Sequence, residues 1–280
     1  MNRYKLFVLI FVIIIAVVCA AALYYRASLG AYAPSPPQIS ANQAILINGT
    51  TGEVLFEKRA DERTYPASTT KIMTALVTLE TMKHLRSDIE QTVKIPSGAV
   101  GVEGSSIYLA ADEEVSIKDL LYGLMLRSGN DAAVALAEII GGNAENFIQM
   151  MNDRAQGLGC TNTNFVNPHG LFNENHYTTA REMALIAMEA MKDETFREIS
   201  AARSWQASRQ PDKFNYFYNK NKVVSEYEGG TGIKIGYTEK SGRTLVASAE
   251  RDGVLLICVV MGAPDWFRDA YALLNYGFEK

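Results

Sequence analysis

Cysteine and histidine are scarce in this 280-residue chain, with three of each. The two cysteines beyond the N-terminal region, Cys160 and Cys258, cannot build a disulfide framework. Cys258, inside Leu255-Leu-Ile-Cys-Val-Val260, reads as a buried strand residue, and no bridge between the two is expected. His84, His169 and His176 include no His-Glu-x-x-His spacing, so neither a metal nor another cofactor is implied. His169 reads as support for the loop at Gly170, and His176 as the start of a helix. There is no internal repeat and no low-complexity tract. A composition of 48% hydrophobic, 21% charged and 10% aromatic residues excludes disordered, collagen-like and coiled-coil chains. The length suits one large domain or two small ones. Basic charge is also in deficit. Setting aside Arg3, Lys5 and Arg26 leaves 24 of the 27 basic residues against 31 acidic ones, a net −7 that argues against a nucleic-acid partner.

What is present begins with an unbroken apolar run from Leu6 to Leu23. At about 1.5 Å per residue it reaches about 27 Å, close to the hydrocarbon thickness of a bilayer. Basic residues precede it and Tyr24 and Tyr25 follow, the pattern of an interface-flanked span with a cytoplasmic N-terminus. The alternative is a cleaved secretory signal, whose apolar core is usually about 7–15 residues. The late small-x-small site, Ala31-Tyr-Ala33, is followed directly by Pro34. An uncleaved anchor is therefore the preferred reading, and on either reading the body works outside the cytoplasm. The expected organisation is a span or signal over 1–26, a linker over 27–40 containing Pro34, Pro36 and Pro37, and one domain over 41–280.

Within that domain, Ala44–Asn48 and Glu53–Lys58 flank the turn Gly49-Thr-Thr-Gly52 as a hairpin. Helical spacing starts at Ser68 and runs to about His84, with Ile72, Ala75, Leu76 and Leu79 on one face. Ser116-Ile-Lys-Asp119 reads as a capping box. An alanine-rich helix follows at Asp131–Ile140, then helices at about 143–157 and 178–192. Ile233–Thr238, Arg243–Ala249 and Val254–Met261 form an antiparallel meander, and a final helix covers roughly 265–278. Strands at both ends with helices between predict one mixed sheet covered by helices.

Three short elements carry chemistry. Ser68 and Lys71, three apart at a helix start, lie on one face. A buried lysine without a carboxylate partner has a lowered pKa and could take the serine proton. Arg127-Ser128-Gly-Asn130 lies between two helices, where Ser and Asn could equally be caps. Lys234-Ile-Gly236 lies in a strand, where a lysine could merely guard an edge.

In this order the three resemble the signature of the penicillin-binding proteins and class A β-lactamases. The surrounding stretches Tyr65-Pro-Ala-Ser-Thr-Thr-Lys-Ile-Met-Thr-Ala-Leu76, Gly104-Ser-Ser106, Ser128-Gly-Asn-Asp-Ala132, Asn167-Pro-His-Gly-Leu171 and Leu245-Val-Ala-Ser-Ala249 resemble the low-molecular-weight branch, the serine D-alanyl-D-alanine carboxypeptidases. The resemblance runs from about residue 40 to the end. It implies a mixed α/β domain with an antiparallel sheet of about five strands between helical layers, and a substrate that is a peptidoglycan stem ending in D-Ala-D-Ala. It implies Ser68 as nucleophile, Lys71 as acylation base, and Ser128 and Asn130 as proton relay and peptide holder. Lys234 and Gly236 would shape the substrate site, with the N–H groups of Ser68 and Tyr237 as oxyanion hole. Lys220 and Arg268 align with basic positions that face the substrate carboxylate. β-Lactams would trap the same serine.

The chain departs from the pattern at Ile235, where the family carries a threonine whose hydroxyl helps bind that carboxylate. Losing one hydrogen bond to a charged group is worth about 1.5–3 kcal/mol, roughly 10- to 150-fold. It predicts a weaker enzyme or an altered substrate preference. Other readings are a catalytically silent, membrane-tethered peptidoglycan binder, motivated by Ile235, and a serine β-lactamase. The class A β-lactamases deacylate with a Glu in a Glu-x-x-Leu-Asn context, which this sequence lacks.

Overall fold

The computed structural model describes residues 3–31 and 34–280. The chain divides into a large unit, Pro37–Phe278, and a small one that contains helix α1 (Arg3–Ala31). Tyr32 and Ala33 of the small-x-small site lie outside the described residues. Among the described residues no helix is long and apolar enough to cross a membrane. The span expected over Leu6–Leu23 is thus not shown.

The large unit is built on a five-stranded antiparallel sheet whose strands come from both ends of the chain. β1 (Gln43–Asn48) and β2 (Val54–Lys58) form the expected N-terminal hairpin. Between the sheet's two halves run α2 (Lys71–His84), β3 (Thr92–Lys94), β4 (Glu114–Ser116), α3 (Ile117–Leu126), α4 (Asn130–Gly141), α5 (Ala144–Gly157), α6 (Ala180–Ala190), α7 (Glu194–Ala201), β5 (Ser204–Gln206), β6 (Tyr216–Tyr218) and α8 (Val223–Glu226). The C-terminal meander is β7 (Gly230–Thr238), β8 (Gly242–Arg251) and β9 (Val254–Met261), and α9 (Trp266–Phe278) closes the chain. The sheet order β2-β1-β9-β8-β7 puts β1 beside β9, so the two ends of the chain complete one sheet.

Both faces of this sheet are covered, which explains why β9 reads as a continuous apolar run rather than an alternating one. Ile257, Val259 and Met261 face the helical side with α2, α3, α4 and α6, whereas Leu256, Cys258 and Val260 face α9. Cys160 and Cys258 are both buried and free. Burial pushes the Cys258 thiol up and out of reactive range.

The helix starts follow local chemistry, with corrections. Asn143, Thr179 and Asp193 cap α5, α6 and α7 through their side chains. Ser116 caps α3 by accepting from the Asp119 N–H at 3.0 Å. Asp119, however, does not turn back to close a capping box. Its carboxylate accepts from the Trp205 indole N–H at 2.7 Å and the Ser208 N–H at 3.0 Å, because a distant segment offers two buried donors. His176 does not start a helix either. It lies four residues before α6 and ties a loop to the catalytic turn, as described below. The short β3–β4 and β5–β6 pairs and helix α7 were not anticipated. Strands of three residues are too short to show a period.

Candidate active site

Ser68 sits in a 3-10 turn, Ala67–Thr70, that runs directly into α2. The helix expected from Ser68 thus begins with a tighter turn. Lys71, one turn along, is fully buried, and its Nζ lies 3.1 Å from Ser68 Oγ, 2.7 Å from Asn130 Oδ1 and 2.6 Å from the His169 carbonyl oxygen. The orientation of the Asn130 amide is determined by its partners, because Nδ2 donates to the Glu103 carbonyl at 2.6 Å. Two of the three neighbours of Lys71 are carbonyl oxygens that can only accept. The third is a hydroxyl that can donate. An ammonium can donate to all three oxygens, whereas a neutral amine donates to the two carbonyls and accepts from the Ser68 hydroxyl, and only the neutral form can act as a base.

The electrostatics favour the neutral form. Burial, followed by the nearby Lys234 charge, holds the Lys71 amine well below the ordinary lysine range, against an opposing pull from Asp131. No carboxylate bonds to the amine. Asp131 instead accepts from Ser106 Oγ at 2.6 Å and from the N–H groups of Ile107 and Leu109, and so pins the 105–109 loop over the site.

The second element is assembled by an unusual backbone. Ser128 adopts φ 63° in the turn between α3 and α4, and Ala67 adopts φ 49° beside the nucleophile. Such positive φ values at non-glycine residues are strained, of order 1–3 kcal/mol each, and cluster where a site dictates geometry. Ser128 and Asn130 are not helix caps, since Gly129 occupies that position and Asn130 is already in α4. Both are buried, and Ser128 Oγ has no hydrogen-bond partner among the described residues.

The third element lies on β7, the edge of the sheet against the catalytic turn. Lys234 is 1% exposed, so it is no edge guard in water. Burial, and then the charge of Lys220, lowers its amine to about 7. A Cβ on Gly236 would stand 2.7 Å from the Ser68 backbone nitrogen, so glycine is required for β7 to approach the nucleophile's N–H. Alternation along the strand sends Lys234 and Gly236 to this side and Ile235 to the other, where Ile235 packs into the α9-side cluster. Tyr237 is exposed at the strand's end.

Lys220 belongs to the same cluster, because its charge acts on both Lys71 and Lys234. Its own amine is lowered by desolvation and then by Arg127. Arg268 is not brought to the cluster by any contact among the described residues. It is exposed on α9, the helix that covers the opposite face of the sheet.

Three supports were not legible as such. The His169 contribution is its carbonyl, a main-chain group with no sequence signature; its ring Nδ1 accepts from Leu171 N–H, and burial followed by Lys71 lowers it to about 3. His176 Nδ1 accepts from Val166 N–H at 3.1 Å, which leaves Nε2–H to donate to Thr70 Oγ1 at 2.8 Å. Gly170, at φ 88°, lies so close to the turn that a Cβ would collide with the Ala67 carbonyl oxygen. Among the described residues no group of three or more His, Cys, Asp and Glu side chains converges as metal ligands would.

Comparison with known proteins places this geometry. A family model described as D-alanyl-D-alanine carboxypeptidase matches residues 31–265. DacF of Bacillus subtilis is 39% identical over 223 residues, covering 80% of this chain and 57% of that protein. DacA of Haemophilus influenzae is 36% identical over 254 residues, covering 87% of this chain and 63% of that protein. The chain therefore spans about six-tenths of the length of these two relatives. The crystal structure of the Streptomyces K15 DD-transpeptidase is similar with a TM-score of 0.81 at 33% identity, covering 88% of this chain and 100% of that one. With its serine, two lysines and asparagine in the family's order on the family's fold, the chain belongs to the D-alanyl-D-alanine carboxypeptidase family.

Proposed function

We propose that this protein is a serine D-alanyl-D-alanine carboxypeptidase that removes the terminal D-alanine from peptidoglycan stem peptides. The observation that carries the reading is the environment of Lys71. A buried amine faces two carbonyls and one serine hydroxyl and has no carboxylate bonded to it. Burial and the Lys234 charge hold this amine well below the ordinary lysine range, which favours its accepting the Ser68 proton.

Ser68 Oγ attacks the carbonyl between the two D-alanines while its proton passes to Lys71 Nζ. The oxyanion is received by the N–H groups of Ser68 and Tyr237, a reading supported by the close approach of the neighbouring Gly236 to the Ser68 nitrogen. As the C–N bond breaks, the leaving D-alanine nitrogen takes a proton through Ser128 Oγ, and the acyl group stays on Ser68. Water, deprotonated by the same lysine, then releases the shortened peptide. An amine in place of water gives transfer, the reaction for which the K15 protein is named. Lys234 and Lys220 supply positive charge for the substrate's terminal carboxylate. Arg268 would join them only by contacts made in the complex. A β-lactam presents its ring amide to Ser68 in the same way and remains attached.

The apolar run Leu6–Leu23, with positive charge before it, supports attachment to the outer face of a cytoplasmic membrane by an N-terminal anchor. Recovery of the full-length protein in the membrane fraction after a high-salt wash tests this.

The catalytic reading is tested by intact mass after addition of benzylpenicillin, together with D-alanine release from a peptide ending in D-Ala-D-Ala. The expected result is one adduct, located on Ser68, and D-alanine release that falls by about 10⁴-fold or more in Ser68→Ala. No adduct and no release from the wild type would overturn it.

A further inference from the structure

Beside Tyr237 the surface opens into a cleft of about 590 Å³, which none of the chemistry above uses. Tyr237 and Trp266 contribute its aromatic rings, and Lys240, Arg243, Ser241 and Asn42 its polar groups. No carboxylate lines it. Neither Lys240 nor Arg243 forms an ion pair among the described residues, although acidic residues outnumber basic ones in the body of the chain.

The cleft is a constructed feature. The β7–β8 turn that carries Lys240 is locked by Thr238 Oγ1, which lies 2.7 Å from Ser241 Oγ and accepts from the Ser241 N–H at 3.0 Å. Arg243 sits directly opposite Tyr237 in the strand pairing. It donates one N–H to the Pro264 carbonyl at 2.7 Å and stands over the Trp266 ring at 5.9 Å. A guanidinium has five donors, and this arrangement orients the group while consuming one of them.

We propose that this cleft is a second subsite that binds a carboxylate of the peptide substrate, on the acyl side of the scissile bond. The proposal rests on the carboxypeptidase reading for the identity of the substrate. Gly236 marks the reacting centre, because its backbone touches the Ser68 N–H. β7 ends at Thr238, two residues past Gly236; Lys240 lies in the turn beyond it, and Arg243 pairs with Tyr237 across the strands. At about 3.4 Å per residue the end of β7 is roughly 7 Å from Gly236, so the cations lie within reach of two or three extended peptide residues. An acidic residue at that distance upstream meets two cations and two side-chain donors, with Tyr237 and Trp266 as walls for its carbons. The site would thus select an acidic stem over a neutral one and would not affect the reacting D-alanines.

The test compares two peptides on the full-length protein in detergent: acetyl-Glu-Ala-Lys-D-Ala-D-Ala and its Gln counterpart, which lacks only the upstream charge. Exposed ion pairs each contribute modestly, so the expected preference for the acidic peptide in kcat/KM is about three- to tenfold, weaker at high salt. It should fall to about one in the double variant Lys240→Gln/Arg243→Gln and persist in Lys240→Arg, which keeps the charge. Equal turnover of the two peptides by the wild type, or a preference that survives the double variant, overturns the subsite and leaves the carboxypeptidase reading standing. If neither peptide releases D-alanine, that reading fails. Peptide affinity measured by tryptophan fluorescence on Ser68→Ala then decides the subsite by the same ratio.

Discussion

Arg209 and Lys71 are both withdrawn from water, and the protein treats them in opposite ways. Around Arg209 every donor is matched by an acceptor fit for a cation. Glu113 takes two of its N–H groups at 2.7 and 3.1 Å, and the carbonyls of Ile107, Phe214 and Tyr108 take the rest. Burial is the largest single influence and would raise the Glu113 carboxyl, but the Arg209 hydrogen bonds, the Ala110 N–H and the charges of Arg209 and Lys213 together hold the group below its ordinary value. Around Lys71 there are acceptors but no bonded carboxylate, and two further lysines act on it. A buried cation with its counter-ion is a structural tie between distant segments. A buried amine without one gives up its proton and becomes a base.

The contrast predicts what happens when each region is pushed toward the other. Lys71→Arg installs a group of similar reach that stays protonated at any accessible pH. Acylation by benzylpenicillin should fall by about 10²–10⁴-fold with stability little changed; an active arginine variant would show that charge, not basicity, is what position 71 supplies. Glu113→Gln leaves Arg209 charged and half satisfied. Urea unfolding should show a loss of about 3–5 kcal/mol, while acylation of the folded fraction stays near wild type.

A milder push is pH. The base must be neutral, so kcat/KM rises with pH through the lowered Lys71 value. Lys234 must be charged to attract the carboxylate, so the rate falls again as pH passes about 7, the value to which burial and Lys220 bring it. Lys234→Arg should shift that alkaline limb upward by at least two pH units. A limb that stays in place would assign it to another group. The smallest effect is expected at Ile235, which packs toward α9 and away from Lys234 and Ser68, so a threonine there should change kcat/KM by less than about threefold. It also removes apolar packing against the α9-side cluster, so thermal stability should drop slightly.

The long elements were legible because they are periodic or continuous. β1, β2, β7, β8, β9 and helices α2 to α6 and α9 fall within a few residues of where alternation, apolar spacing and turn chemistry put them. The short pairs β3–β4 and β5–β6 were not, since three residues carry no period. At the site, Ser68, Lys71, Asn130 and Lys234 were readable as motif positions, and the structure brings all four together with Lys220. Asp119 went wrong because its spacing to Ser116 is local but its better partners, Trp205 and Ser208, are distant. Arg268 was singled out by resemblance to a basic position of the family, and it is exposed near the start of α9 with no contact to Lys71, Lys234 or Lys220 among the described residues.

Residue identity and spacing by themselves determined that this chain holds a serine and a lysine one helical turn apart, a β-rich C-terminal meander and an acidic body. They could not decide the protonation state on which the chemistry depends. That state is pushed toward neutral when α2, the 166–171 loop, α4 and β7 pack together, taking Lys71 out of water and surrounding it with the carbonyls of Asn130 and His169 and the charge of Lys234. The physical reason is that a pKa belongs to an environment. Desolvation and through-space charge act over a few ångströms in three dimensions, between residues up to about a hundred or more positions apart in the chain.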